Sequence, residues 1–190
     1  FAAHLEAIGE LKTIDEPICR KLEMTELARR MVEAGGAALQ FKNVTDEAGK
    51  RFEMTALANI FGTPKRVALG MGGRTPEQLK ELGETLAFLA QPKPPASIKE
   101  AVKLLPLAKD ILATRPSYAT NPACQHTVLR GAEIDLTQLP IQHCWPKDAA
   151  PLITWPLVVT QLHGREGIDG CNVGVYRLQL LDKDKLILRW

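Results

Sequence analysis

The sequence lacks any apolar run near the ~20 residues that cross a bilayer, and its opening, FAAHLEAIGELK, lacks the apolar segment of a secretory signal. Together these absences predict a cytoplasmic chain. Paired cysteines are missing too. Cys19, Cys124, Cys144 and Cys171 lie far apart with no C-x-x-C among them, so no disulfide framework is expected. The pairs CQH and HC would make a Cys2His2 set on paper, but neither spacing matches a chelating turn, and they read as free thiols and ordinary histidines. There is no block of one charge: 24 Lys and Arg stand interspersed with 22 Asp and Glu, a net charge of +2. That argues against a nucleic-acid footprint. No internal repeat and no low-complexity tract occurs.

What remains is ordinary globular material, 190 residues and 45% hydrophobic, enough for one large domain or two small ones. In LEMTELARRMVEAGG, Met24, Leu27, Ala28, Met31 and Val32 recur at helical spacing and Gly35 and Gly36 end the pattern, which predicts an amphipathic helix. AALQF follows as a strand, VTDEAGKR as a polar turn, and FEMTALANIF as a second apolar run. A further helix is expected from TPEQLKELGETLAFLA, with Thr75 as N-cap and Pro76 at its first position. SIKEAVKLL and LAKDILA read as two helical pieces separated by Pro106. From about residue 120 the texture turns to short β-rich runs: HTVLRG, LITWPLVVTQL, CNVGVYRLQLL and KLILRW. The expected division is therefore 1–118, an α/β domain with a helical connector, and 119–190, the start of a mainly β domain.

Three stretches could carry chemistry. FGTPKRVALGMGGRT is glycine-rich but is neither a Walker loop nor GxGxxG, so it reads as a connecting turn with Lys65 and Arg66 solvated. PIQHCWPKDAAPLITWPLVVT combines prolines, Trp145, Trp155 and His143; it reads either as a rigid wall for a flat ligand or as packed core with prolines at strand ends. No Ser or Asp pattern beside His143 suggests a triad, and it reads as structural. In CNVGVYRLQLL, a regular strand would put Val173, Val175, Arg177 and Gln179 on one face and Asn172, Gly174, Tyr176 and Leu178 on the other. Asn172 and Arg177 could then serve one ligand only if the backbone bends or bulges between them, and Gly174 invites that. Arg177 fits a carboxylate or phosphate ligand, or an edge arginine whose stem packs while its head reaches solvent. Asn172 fits a hard cation or a turn. LLDKDKLILRW reads as a hairpin that returns Arg189 and Trp190 near the start of the Asn172 strand.

At these residues the sequence resembles the UbiD family of prenylated-flavin-dependent decarboxylases. The resemblance is carried in order by GELK, LEMTELARRMVEAGGAALQF, NIFGTPKRVALGMG, LAFLAQPKPP, CWPKDAAPLITWPLVVT, NVGVYRLQL and KLILRW. It is strongest to members acting on 3-polyprenyl-4-hydroxybenzoate in ubiquinone biosynthesis. It implies an α+β architecture, a small N-terminal α/β domain followed by part of a split β-barrel similar to flavin reductases. It implies prenylated FMN, with Mn2+ and K+ as accompanying cations. By the same resemblance Asn172 is a manganese ligand, Val175, Tyr176, Arg177, Arg189 and Trp190 line the cofactor, and Arg177 orients the substrate carboxylate. Loss of CO2 from an aromatic acid leaves a carbanion that needs an electron sink, which the flavin supplies.

The implied partners are an aromatic acid with a polyprenyl tail, a flavin prenyltransferase as cofactor supplier, and further copies of the chain, in a homo-oligomer as large as a hexamer. A peripheral position at the inner membrane accompanies that substrate. The family's His-Arg-Gly-Gly segment, metal-binding Glu and acidic proton donor are absent from these residues, so a fragment inactive on its own is expected. The rivals are a UbiD-type decarboxylase of another aromatic or acrylic acid, a split-barrel FMN oxidoreductase, and a non-catalytic binding module.

Overall fold

A computed structural model describes residues 1–91, 102, 105–113 and 117–189. The chain divides into two compact units, Phe1–Pro76 with Leu129–Trp190, and Glu77–Val128. The first begins with helix α1 (Ala2–Ala7) and strand β1 (Leu11–Ile14), crosses over through β2 (Ile18–Cys19) and helix α2 (Glu23–Glu33), and returns as β3 (Ala38–Phe41) parallel to β1. Strand β4 (Val44–Thr45) pairs in parallel with β2, and β5 (Ala56–Ala58) closes the order β1-β3-β5 by pairing antiparallel to β3. The expected helix and first strand are therefore both present.

Helical spacing explains the packing. Met24 is buried with Leu39, Phe41, Val44 and Phe52, while Leu27 and Met31 pack against that cluster from the same face of α2. A glycine is needed beyond the helix, where Gly35 takes φ +59°. A second cluster of Leu5, Leu11 and Ala38 joins α1 to the sheet.

The glycine-rich stretch differs from its reading as a turn. Residues Pro64–Gly70 form helix α3, because Thr63 accepts from the Arg66 amide through Oγ1 at 3.3 Å and Pro64 occupies the first turn. Nor is Arg66 solvated. It is fully buried, 3.0 Å from Glu10, whose other oxygen receives Lys65 at 2.7 Å.

Further along, residues 141–144 dock on the N-terminal segment. His143 bridges Lys21 in parallel, its amide donates to the Arg20 carbonyl at 3.1 Å, and its carbonyl accepts from Leu22 at 3.0 Å. Gln142 donates to the Thr25 hydroxyl at 2.9 Å. The β-rich runs then become β6 (Leu152–Ile153), β7 (Leu157–Gln161), β8 (Cys171–Val175), β9 (Leu178–Asp182) and β10 (Lys185–Leu188). They form a β10-β9-β6 sheet and a separate β7-β8 ribbon. HTVLRG is not a strand. The chain makes 3-10 turns at Ala123–Gln125 and Gly131–Glu133, Gly131 sits at φ +55°, and Val128 and Leu129 are exposed without a pairing strand. β propensity alone cannot hold a strand that has no neighbour.

The second unit holds most of α4 (Pro76–Ala90) and all of α5 (Leu105–Ala113). Thr75 directly precedes α4. Pro106 is the second residue of α5 rather than a separator between helical pieces. Most of SIKEAVKLL lies outside the described residues. Among the described residues no helix is long and apolar enough to cross a membrane.

Candidate functional site

The site is built where β8 becomes β9. Strand β8 pairs with β7 in the register Thr160↔Asn172, Val158↔Gly174 and Leu157↔Val175. Two residues later β9 belongs to the other sheet, with Leu178 opposite both Ile153 of β6 and Leu188 of β10. Tyr176 and Arg177 are thus a corner between two sheets, pinned where the Tyr176 amide reaches the Pro156 carbonyl at 3.4 Å. The face alternation of one continuous strand ends there, so the relation of Asn172 to Arg177 is no longer that of a five-residue step along a single strand.

Gly174 supports the corner in another way. A Cβ on it would lie 2.5 Å from Cε2 and 3.0 Å from Cζ of Tyr176, so the tyrosine ring lies against the bare glycine backbone. The hairpin, too, lands differently from the expectation. Because Leu188 pairs with Leu178, Arg189 comes to the same end of the sheet as Arg177, not to the start of the Asn172 strand.

The result is an open groove of about 720 Å³. Leu152, Val175, Ile187 and Leu188 give it apolar walls, Tyr176 a ring, Gln179 an amide, and Arg177 and Arg189 two guanidiniums. Neither arginine has a carboxylate within ion-pair distance among the described residues. Both are exposed. Apolar walls with cationic groups on one rim suit a flat, anionic molecule, because guanidinium forks match carboxylate and phosphate oxygens. The donor set therefore fits a flavin with its phosphate.

A metal fits less well. Asn172 offers one amide oxygen and does not line the groove, and among the described residues no three His, Cys, Asp or Glu side chains converge. An octahedral hard cation needs several more oxygen ligands, so these residues do not complete its shell and no step is derived through it. Of the residues expected to bind cofactor, the groove brings together Val175, Tyr176, Arg177 and Arg189. Trp190 lies outside the described residues.

The proline-rich stretch is held together by local hydrogen bonds. His143 Nε2 lies 3.0 Å from the Asp148 carbonyl, and the Asp148 carboxylate accepts from the Trp145 amide at 3.0 Å. Cys144 is buried, and burial pushes its thiol up, against a smaller opposing hydrogen bond from Thr25. The tryptophans are not core: Trp145 and Trp155 are both exposed. Sequence reasoning missed the Glu10–Lys65–Arg66 cluster. The Thr63-Pro64 pair, a helix-start signature, was the available signal for α3, but nothing local names Glu10 as the partner.

Residues 2–86 match the model of the 3-octaprenyl-4-hydroxybenzoate carboxy-lyase N-terminal domain, UbiD_N, and residues 117–190 match the Rift-related domain of the same carboxy-lyase, UbiD. Among solved structures, the UbiD-class enzyme HmfF from Pelotomaculum thermopropionicum in complex with FMN is similar at 22% identity and TM-score 0.70, covering 99% of this chain and 35% of that one. Vanillic acid decarboxylase of Sedimentibacter hydroxybenzoicus in its open form gives 20% identity and TM-score 0.70, with 98% and 34% covered. The 3,4-dihydroxybenzoic acid decarboxylase of Klebsiella pneumoniae gives 20% and 0.65, with 95% and 34% covered. The chain thus spans about a third of the length of these structures, and at such identities the likeness concerns the fold.

Proposed function

The chain belongs to the UbiD family, and from that premise we propose that it forms the N-terminal and flavin-binding portion of a decarboxylase that removes CO2 from 3-polyprenyl-4-hydroxybenzoate, a step of ubiquinone biosynthesis. The observation that carries the reading is the corner groove, where Arg177 and Arg189 stand beside apolar walls with no ion-pair partner among the described residues. Prenylated FMN, bound there, supplies the electron sink for the reaction. Val175 and Tyr176 would hold the flavin, and the Arg189 guanidinium would bind its phosphate. Arg177 would hold the substrate carboxylate and so fix the carbon-carbon bond that breaks. When that bond breaks, CO2 leaves with no electrons from it, the pair stays on the ring carbon, and a proton from an acid outside these residues replaces the carboxylate. The product is the 2-polyprenylphenol.

The finer parts of the reading follow from the same premise. The segment 119–190 contributes strands to a split barrel, after a domain of residues 1–118. Asn172 provides one ligand to a manganese ion whose remaining ligands come from elsewhere in the full protein. The working enzyme is a homo-oligomer, receives its cofactor from a flavin prenyltransferase, and meets its lipid-tailed substrate from the cytoplasmic face of a membrane.

The test is to load the full-length protein with prenylated FMN, supply 3-octaprenyl-4-hydroxybenzoate and measure CO2 with the phenol formed. Equal release of both is expected. Turnover of vanillate or 3,4-dihydroxybenzoate alone would replace the substrate with another aromatic acid. Oxidation of NAD(P)H by bound unmodified FMN without CO2 would overturn the decarboxylase reading.

A further inference from the structure

A second concavity lies beside the first. It measures about 440 Å³ and is lined by Met24, Met54, Leu57, Leu139, Ile141 and Trp155, among others. We propose that this groove binds the hydrocarbon tail of the substrate while its head occupies the groove of Arg177; the assignment rests on the proposed substrate.

Three observations support that occupant. First, the lining carries no charged side chain, and its two polar ones are Gln142 and Thr154. The Gln142 amide is already engaged by Thr25 at 2.9 Å. Such a surface offers no charge and few polar atoms to a ligand, and favours a neutral hydrocarbon. Second, the two grooves adjoin. Leu152 lines both, so a molecule anchored at Arg177 can extend past Leu152 into the second groove. Third, the lining is available: Met54, Leu57 and Trp155 are exposed by 54%, 42% and 75%. Apolar side chains clustered in a concavity, rather than scattered, mark a binding surface.

A polypeptide strand fits the same place less well. The groove is flanked by β5 and β6, each the outer strand of its sheet, which in principle could accept another strand. However, β5 has three residues and β6 two. Edges that short provide little backbone for strand addition, whereas a flexible hydrocarbon needs only apolar walls.

The experiment uses the full-length, cofactor-loaded protein with octaprenol as the probe, a tail without a head. Octaprenol should bind and shift the tryptophan emission, and Trp155→Phe should remove that shift. Leu57→Asp and, independently, Met54→Asp should weaken octaprenol binding at least about tenfold, since a carboxylate against hydrocarbon must be desolvated or neutralised. Each should also raise KM for the octaprenyl substrate relative to its 3-dimethylallyl analogue by about the same factor. An unchanged thermal midpoint shows that a variant is folded.

Octaprenol affinity equal to wild type in both folded variants would overturn the groove. So would self-association of the wild type that Leu57→Asp abolishes without any effect of octaprenol, which would make the face a subunit contact. Octaprenol binding without decarboxylation of any prenylated 4-hydroxybenzoate would instead sink the proposed substrate, and the tail assignment with it, while the hydrocarbon site stands.

Discussion

Residues 1–76 and the β7-β8 ribbon handle their apolar side chains in opposite ways. In the first, Leu5, Ala38, Phe41 and Val44 are fully buried, and α2 turns its apolar face onto the sheet. In the ribbon, the cross-strand pairs Leu157↔Val175 and Val159↔Val173 are exposed, with Leu157 at 72% and Val159 at 64%. Both regions are rich in β-branched and aliphatic residues, so composition does not separate them. What separates them is closure: the N-terminal segment packs a buried core between its own elements, even though Met54, Leu57 and Phe61 stay exposed at its margin, while the ribbon offers one apolar face outward and leads into the corner of Tyr176 and Arg177. Stability should therefore be sensitive in the first region, and activity in the second.

The hardest test of that contrast is a pair of truncations. Phe41→Ala should lose about 4 kcal/mol of unfolding free energy, the transfer and cavity cost of a fully buried ring. Val159→Ser, far more exposed, should change it by less than about 0.5 kcal/mol. Denaturant midpoints measured on both would erase the distinction if the two losses were alike.

Next comes the ion pair of buried Arg66 with half-buried Glu10. Glu10→Gln removes the carboxylate facing the fully buried Arg66 and should cost about 3 kcal/mol near neutral pH. Its pH dependence has a definite sign. Hydrogen bonds from Lys65 and then Arg66 hold the Glu10 carboxyl below its ordinary value. The folded pKa lies below the unfolded one, so this stabilisation is complete above the ordinary carboxylate range and is lost as pH falls through the lowered value. Unfolding midpoints followed downward from about pH 6 should show a shallower acid limb in Glu10→Gln than in wild type. Parallel acid limbs would remove Glu10 from the account.

A smaller effect belongs to the start of α3. Thr63→Ala deletes the side-chain acceptor of the Arg66 amide and should cost about 1 kcal/mol in the same assay, with Thr63→Ser restoring most of it. The smallest change in stability is expected for Arg177→Ala, within about 0.5 kcal/mol, because the side chain is exposed and has no ion-pair partner among the described residues.

The elements readable from the sequence were those whose reasons are local. The spacing of Met24, Leu27 and Met31, with Gly35 at positive φ beyond them, defines α2 without reference to anything distant. The strands of the β-rich segment were visible as runs, but their breaks were less so. CNVGVYRLQLL looks continuous, and its division at Tyr176 depends on a hydrogen bond to Pro156, twenty residues upstream. That break also moved Arg189 from the Asn172 strand to the side of Arg177. HTVLRG failed in the opposite direction, since its β-branched residues have no neighbour to pair with. Arg66 was unreadable for a third reason: its partner, Glu10, lies in another element, and only packing shows a charge in that position to be buried. The candidate cofactor residues were named through family resemblance, whereas the second groove has no local motif, its walls coming from α2, β5 and β6 and the loops beside them.

The proposed division of labour gives the corner at Tyr176 and Arg177 the chemistry and the N-terminal core the stability. It is tested most directly by CO2 release from the full-length, cofactor-loaded Arg177→Ala variant with 3-octaprenyl-4-hydroxybenzoate, measured beside its thermal midpoint. The expected result is a loss of at least about a hundredfold in kcat/KM, the scale of a misplaced reacting group, at an unchanged midpoint. Turnover near the wild-type rate in that folded variant would contradict the account.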